Sequence, residues 1–102
     1  MGYMTELNTL IGLPKDFDVT ILSLEKRYRI MKERERTFPL HIAMLVVDGE
    51  WNFYGYGVAH SIVVKGQTTE IEFEMLSLFT PDEQKNYKDK FVAAGRKTGE
   101  VR

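Results

Sequence analysis

The chain has 102 residues, 43% apolar and 12% aromatic, and no cysteine, which is enough apolar material to bury a core and excludes disulfides, thiolate metal sites and a cysteine nucleophile. Charged residues make up 28% of it and sum to a net charge of −1, which argues against a disordered chain and against a strongly basic nucleic-acid binder. The longest apolar run, Ile42 to Val47, is six residues, far short of the roughly 18 that a membrane span needs.

Met1-Gly2-Tyr3-Met4-Thr5-Glu6 lacks the basic and apolar regions of a signal peptide, and Glu6 stands where N-myristoylation wants Ser or Thr. With no repeat, linker or low-complexity tract, the expectation is one soluble cytoplasmic domain over 1–102. Thr5 to Ile11 predicts a short strand, broken by Gly12-Leu13-Pro14. Val19 to Leu24 suits either a strand or a short helix. In Tyr28 to Arg36, "YRIMKERER", weak alternation competes with helix-forming Glu, Lys and Arg. The lack of a glycine stop before Thr37-Phe38-Pro39 favours strand.

Leu40 to Val47 is apolar at nearly every position and reads as a strand buried on both faces. Asp48-Gly49 is a hairpin signal, and Asn52 to Val64, a turn at Lys65-Gly66, and Thr68 to Phe79 complete an antiparallel meander. A two-residue turn at Lys65-Gly66 sets His60 opposite Ile71, Val58 opposite Phe73 and Tyr56 opposite Met75. Bulky side chains then gather on one face, while Ser61, Ala59 and Gly57 share the other with Glu70, Glu72 and Glu74. The adjacent apolar pair Met75-Leu76 breaks the alternation and predicts a bulge or two-sided burial. The following helix is well signalled: Thr80 as N-cap, Pro81 at the first position, Glu83 completing a capping box, and Tyr87 and Phe91 on one face. Gly95 is expected to stop it, leaving a frayed tail from Arg96.

"FYGYG", residues 53 to 57, places glycine twice inside a strand. In the register above, Tyr54, Tyr56, Val58, His60 and Ile62 point one way and Phe53, Gly55, Gly57, Ala59 and Ser61 the other. The tyrosine rings and the glycines therefore do not share a face, which disfavours a base-stacking platform; only Gly55-Tyr56-Gly57 fits the RNP1 pattern of RNA-recognition domains. Gly55, Gly57 and Ala59 read as a shallow lane that seats Tyr87 or Phe91, or alternatively as a groove for a small ligand or peptide. Bending at the lane would curl the sheet towards a barrel.

His41 and His60 become neighbours if the first hairpin loop is Gly49 to Asn52, and separate if it is Asp48-Gly49. With Ala43, Val58 and Ile71 around them no third ligand is expected, so no metal site is assigned. Glu70, Glu72 and Glu74 stand ~7 Å apart along one face without the contrast of environments that an acid pair needs. The basic residues Lys26, Arg27, Arg29, Lys32, Arg34 and Arg36 either lie across from those glutamates or contact phosphate, with Glu25, Glu33 and Glu35 diluting their field. Ser23, Ser61 and Ser77 lack a nucleophile-elbow context, and no phosphate loop or dinucleotide fingerprint occurs. No catalytic residue and no cofactor are expected.

The strings "TELNTLIG", "FPLHI" and "EMLSLFTPDE" resemble a family of short uncharacterised proteins of low-GC Gram-positive bacteria, a domain of unknown function. The resemblance implies a bacterial cytoplasmic protein and a small PUA-like barrel, a fold that often binds RNA. The expected architecture is mainly antiparallel β, five or six strands in a strongly bent sheet or barrel with one C-terminal helix. The expected function is a non-enzymatic binding or interaction module whose partner the residues do not identify, with a protein partner and self-association through an edge strand or the glycine lane both open. The alternative is an RNA-binding accessory protein using residues 26–36. Replacing the N-cap, Thr80→Ala, is expected to lower stability by about 1 kcal/mol, read as a lower denaturation midpoint at unchanged slope.

Overall fold

The computed structural model describes residues 6, 7, 9–99 and 101. Its strands are β1 (Glu6–Leu7), β2 (Ile11–Gly12), β3 (Arg27–Glu33), β4 (Arg36–Thr37), β5 (Ala43–Val47), β6 (Phe53–Lys65) and β7 (Thr68–Leu78), followed by helix α1 (Pro81–Thr98). Five of the strands form one sheet in the order β2-β5-β6-β7-β3, and β1 and β4 form a separate parallel pair. The β2–β5 pairing is also parallel, so the sheet is mixed. It is mainly β with a C-terminal helix, as its residue pattern predicts, but it stays open, with β2 and β3 as its two edges.

Local expectations are met at some places and corrected at others. The stretch from Thr5 to Ile11 yields two short strands instead of one, with Thr5 and Asn8 outside the described residues, as are Met1 to Met4. Val19–Ile21 is a 3-10 turn, capped by the Asp18 carboxylate, which accepts from the Thr20 amide at 3.0 Å. Strand is the outcome for the "YRIMKERER" segment, interrupted at Arg34, whose φ is 70°. Leu40 to Ile42 do not join β5, because His41 at φ 62° turns the backbone out of the extended region. Within β5 itself Met44, Val46 and Val47 are buried, but Ala43 is exposed and Leu45 half-buried, so the expected burial on both faces holds only at the end of the strand.

The β6–β7 register differs from the predicted one. The turn is Gly66-Gln67, with Lys65 opposite Thr68 and Ile62 opposite Ile71. Gly66 sits at φ 63°, the left-handed value that the first central residue of this hairpin turn needs. A Lys65-Gly66 turn would force a lysine into that place. His60 is then an extra residue, since Ser61 pairs with Glu72 and Ala59 with Phe73. One inserted residue reverses the parity of the strand. Ile62, Ala59 and Gly57 all line the face of Ile71, Phe73 and Met75, while Tyr56 turns to the other side, opposite to Phe73. The bulge expected at Met75-Leu76 is present: Gly57 pairs with Met75 and Tyr56 with Ser77, so Leu76 is skipped.

Each face of the sheet carries its own layer. On the first, Phe73, Met75, Ile71, Val46 and Ala59 are fully buried beneath Ile11 and Phe38. On the second lies α1, opened by the predicted capping box: Thr80 Oγ1 accepts from the Glu83 amide at 3.3 Å, and the Thr80 amide donates to Glu83 Oε1 at 2.9 Å. Tyr87 and Phe91 pack on Phe53, with ring centroids 6.1 and 5.3 Å away, and Phe79 stacks on Tyr87 at 4.5 Å. The helix aromatics thus sit on the ring side of "FYGYG" and not in the glycine lane.

Gly95 does not end the helix; Gly99 does, at φ 85°. Gly95 is buried because Val101 folds back on it, the Val101 amide donating to the Gly95 carbonyl at 3.1 Å. The expected fraying from Arg96 is replaced by helix to Thr98, with Glu100 and Arg102 outside the described residues.

At Gly55 the backbone adopts φ 153°, and a Cβ there would land on the Ser77 carbonyl oxygen. Gly55→Ala is therefore expected to cost on the order of 3 kcal/mol, measured by chemical denaturation against Gly49→Ala, where a Cβ meets nothing within 4 Å.

Candidate interaction surface

The structure places the sequence-derived candidates unevenly. Gly55, Gly57 and Ala59 are buried. A Cβ on Gly57 would lie 2.8 Å from Val46 Cγ2 and 3.4 Å from Ile11 Cδ1, so the lane is filled by core side chains and offers no groove.

The basic stretch is divided between two faces by strand alternation. Arg27 and Arg29 point to the glutamate face, where Arg27 Nη1 lies 3.2 Å from Glu72 Oε1 and Arg29 Nη1 lies 3.4 Å from Glu70 Oε1. These are exposed pairs of small energetic weight, but they neutralise the ladder. Lys32 faces the other way and donates from Nζ to the Gly12 carbonyl at 2.9 Å. Arg36 Nε donates to the Glu33 carbonyl at 2.8 Å, and Lys26 and Arg34 are exposed. Sequence reasoning missed Thr69, whose fully buried hydroxyl accepts from the Arg36 amide at 3.0 Å and donates to the Arg34 carbonyl at 2.8 Å. It ties the crossing from β3 towards β5 against β7. A threonine at a core position of a strand was the signal for it.

The histidines do meet. β5 and β6 pair with Ala43 opposite Val58 and Leu45 opposite Tyr56, the register of the longer loop, and the His41 and His60 rings lie 6.0 Å apart. The reversal at His60 also brings up a partner the sequence reading lacked: His60 Nε2 is hydrogen-bonded to Glu74 Oε1 at 2.8 Å. Among the described residues no three His, Asp or Glu side chains are placed to hold a metal ion.

The β5–β6 loop is organised by Asp48. Its carboxylate accepts from the Glu50 and Asn52 amides, both at 2.9 Å, from Asn52 Nδ2 at 3.0 Å and from the Tyr54 hydroxyl at 2.6 Å. Partial burial pushes the carboxyl's pKa up, but these four donors together outweigh it and hold the group below its ordinary value. Burial and the adjacent Asp48 push the Tyr54 hydroxyl well up. Beside the loop, α1 and the sheet leave a groove of about 550 Å³, floored by Leu45, Phe53 and Phe91 with Lys90 at its rim.

The most distinctive surface is the free side of β6. β5 accompanies β6 only from Phe53 to Val58, and the last bond on that side is from the His41 amide to the Ala59 carbonyl at 3.0 Å. Past His60, among the described residues, β6 pairs on the β7 side alone. Its residues there are Ser61, Ile62, Val63, Val64 and Lys65; Val63 is 55% and Val64 48% exposed, with Leu40 and Ile42 at 42% and 57%. The opposite edge, β3, carries Arg27, Arg29, Lys32 and Glu33, charges of the kind that protect an edge against unwanted strand pairing. On this arm Lys65 is the one charge.

No family model matches the chain, and no curated protein matches it. Its fold is similar to the crystal structure of protein ytmB from Bacillus subtilis, with a TM-score of 0.65 and 22% identity over 79% of this chain and 98% of that one. At that identity the likeness is one of fold. Among the described residues no helix is long and apolar enough to cross a membrane.

Because the folded pKa of Asp48 lies below the ordinary 3.8, its contribution is complete above that value and is lost as pH falls through the lowered one. Thermal melts between about pH 6 and pH 2 are expected to show Asp48→Asn less stable than the native chain at the upper end, with the gap narrowing on acidification.

Proposed function

We propose that this chain is a non-enzymatic interaction module that takes up an extended protein segment by strand addition along the free side of β6. The observation that carries the reading is the length of β6 from Ile62 to Lys65, which no described residue pairs on this side and which has backbone groups to offer and apolar side chains on both faces. In a hairpin closed by two residues the flanking pair, here Lys65 and Thr68, is hydrogen-bonded. Val63 and Ser61 then bond towards β7, and Ile62 and Val64 direct their N–H and C=O groups outward. Main-chain bonds along such an edge supply affinity, and the alternating side chains supply selectivity.

RNA has less support. Arg27 and Arg29 are engaged by glutamates, and Lys32 and Arg36 turn to the opposite side of β3. An RNA surface needs its cations gathered on one face.

A synthetic peptide of residues 60–66 is the probe. Its addition is expected to shift the amide resonances of Ile62 and Val64, and Val63→Lys is expected to weaken its binding at least tenfold. An unmoved spectrum overturns the proposal, as does affinity for structured RNA that falls steeply with salt.

A further inference from the structure

We infer that the strand taken up is β6 of a second copy of this chain, joined antiparallel about Val63 to make one continuous sheet through both molecules. The inference rests on the strand-addition reading and adds the identity of the partner.

Three features select this pairing. The first is where the edge begins. His41, at φ 62°, donates its amide to the Ala59 carbonyl, so Ala59 is already engaged and an incoming strand must stop at His60. A two-fold centred on Ile62 would set Lys65 of one copy against Ala59 of the other, inside the occupied stretch. A two-fold centred on Val63 avoids this, bringing Ile62 opposite Val64, Val63 opposite itself, and Ser61 opposite Lys65. The outward backbone groups of Ile62 and Val64 then meet their counterparts and form four main-chain hydrogen bonds.

The second feature is charge. Identical strands in antiparallel register oppose like charges whenever a charged residue falls on the axis. Here the single charge, Lys65, falls opposite Ser61, and Ser61 is paired within its own chain to Glu72. The short hydroxyl leaves the lysine ammonium directed towards that carboxylate.

The third feature is what becomes covered. Val63 stands on the glutamate face and Val64 on the core face, both about half exposed, and the pairing buries β-branched side chains on both sides of the new ladder. Leu40 and Ile42, exposed at 42% and 57%, flank the point where the partner's Gly66-Gln67 turn would end. An interface of this kind is isologous and closes at two copies, which suits an edge that would otherwise template open-ended growth.

The test is mass together with amide exchange on the full chain. Light scattering across micromolar to millimolar concentration is expected to show particles of twice 11.9 kDa. Hydrogen exchange is expected to slow at Ile62 and Val64 as the dimer fills, while Val63, bonded inward to β7, keeps its protection at every concentration. Val63→Lys, at an exposed position, is expected to retain the native melting curve and weaken association at least tenfold; Val63→Thr, which keeps the branch, is expected to associate. A chain that stays monomeric while the 60–66 peptide binds overturns the second copy and leaves strand addition standing. A chain that takes up neither overturns both, and a dimer with concentration-independent exchange at Ile62 and Val64 assigns the interface elsewhere and overturns the inference.

Discussion

One inserted residue governs this molecule: His60, which stands between Ser61 opposite Glu72 and Ala59 opposite Phe73. Strand geometry alternates strictly, so without that insertion Ile62 and Ala59 would face opposite ways, and one of them would leave the core. With it, a strand of thirteen residues presents Ile62 near its tip, and Ala59 and Gly57 further in, to a single apolar layer. The same half-turn carries Tyr56 to the back of the sheet, where Phe53 and the rings of α1 wait.

The two layers have different characters. The front is built from aliphatic side chains and Phe73, close enough behind β6 that only small residues fit at Gly57 and Ala59. The back is an aromatic stack running from Tyr56 through Phe79 and Tyr87, with Phe53 and Phe91 alongside. Polar groups fix the joints: Thr69 anchors the crossing from β3, Asp48 the first hairpin loop, and Lys88 reaches Asn52 Oδ1 at 3.2 Å to tie the helix to that loop. The β6–β7 hairpin outruns β5, and the free flank that results is the surface on which the functional reading rests.

Much of this was legible in the residues. The helix start is encoded locally by Thr80, Pro81 and Glu83, and local signals of that kind survive tertiary packing. The strands of the meander follow from their β-branched and aromatic content, and the Met75-Leu76 irregularity from adjacent apolar residues. What escaped was parity. His60 resembles any other polar residue in a strand, and only the depth available in front of β6, set by Val46 and Ile11 from distant parts of the chain, decides that the bulge falls there. The same holds for Gly95, which reads as a stop until Val101 returns to fill its place. For the candidate surface, the basic residues were visible and their division between two faces was not, since that division follows from the pairing of β3 with β7. The edge was within reach: "SIVVK" lies beyond the length that "AMLVV" can accompany.

The chain contains one tryptophan, and it occupies a telling place. Trp51, held at φ 64° in the β5–β6 loop, lies with its ring 4.7 Å from that of Phe91, at an interplanar angle of 31°. Its emission therefore samples the seam between loop and helix, at a place where it also lines a cavity with Leu13 and Phe38 of the layer in front of the sheet. Intrinsic fluorescence consequently reports one local seam, and far-ultraviolet dichroism the backbone of helix and sheet together. Their coincidence during unfolding would mean that helix and sheet come apart as one cooperative unit.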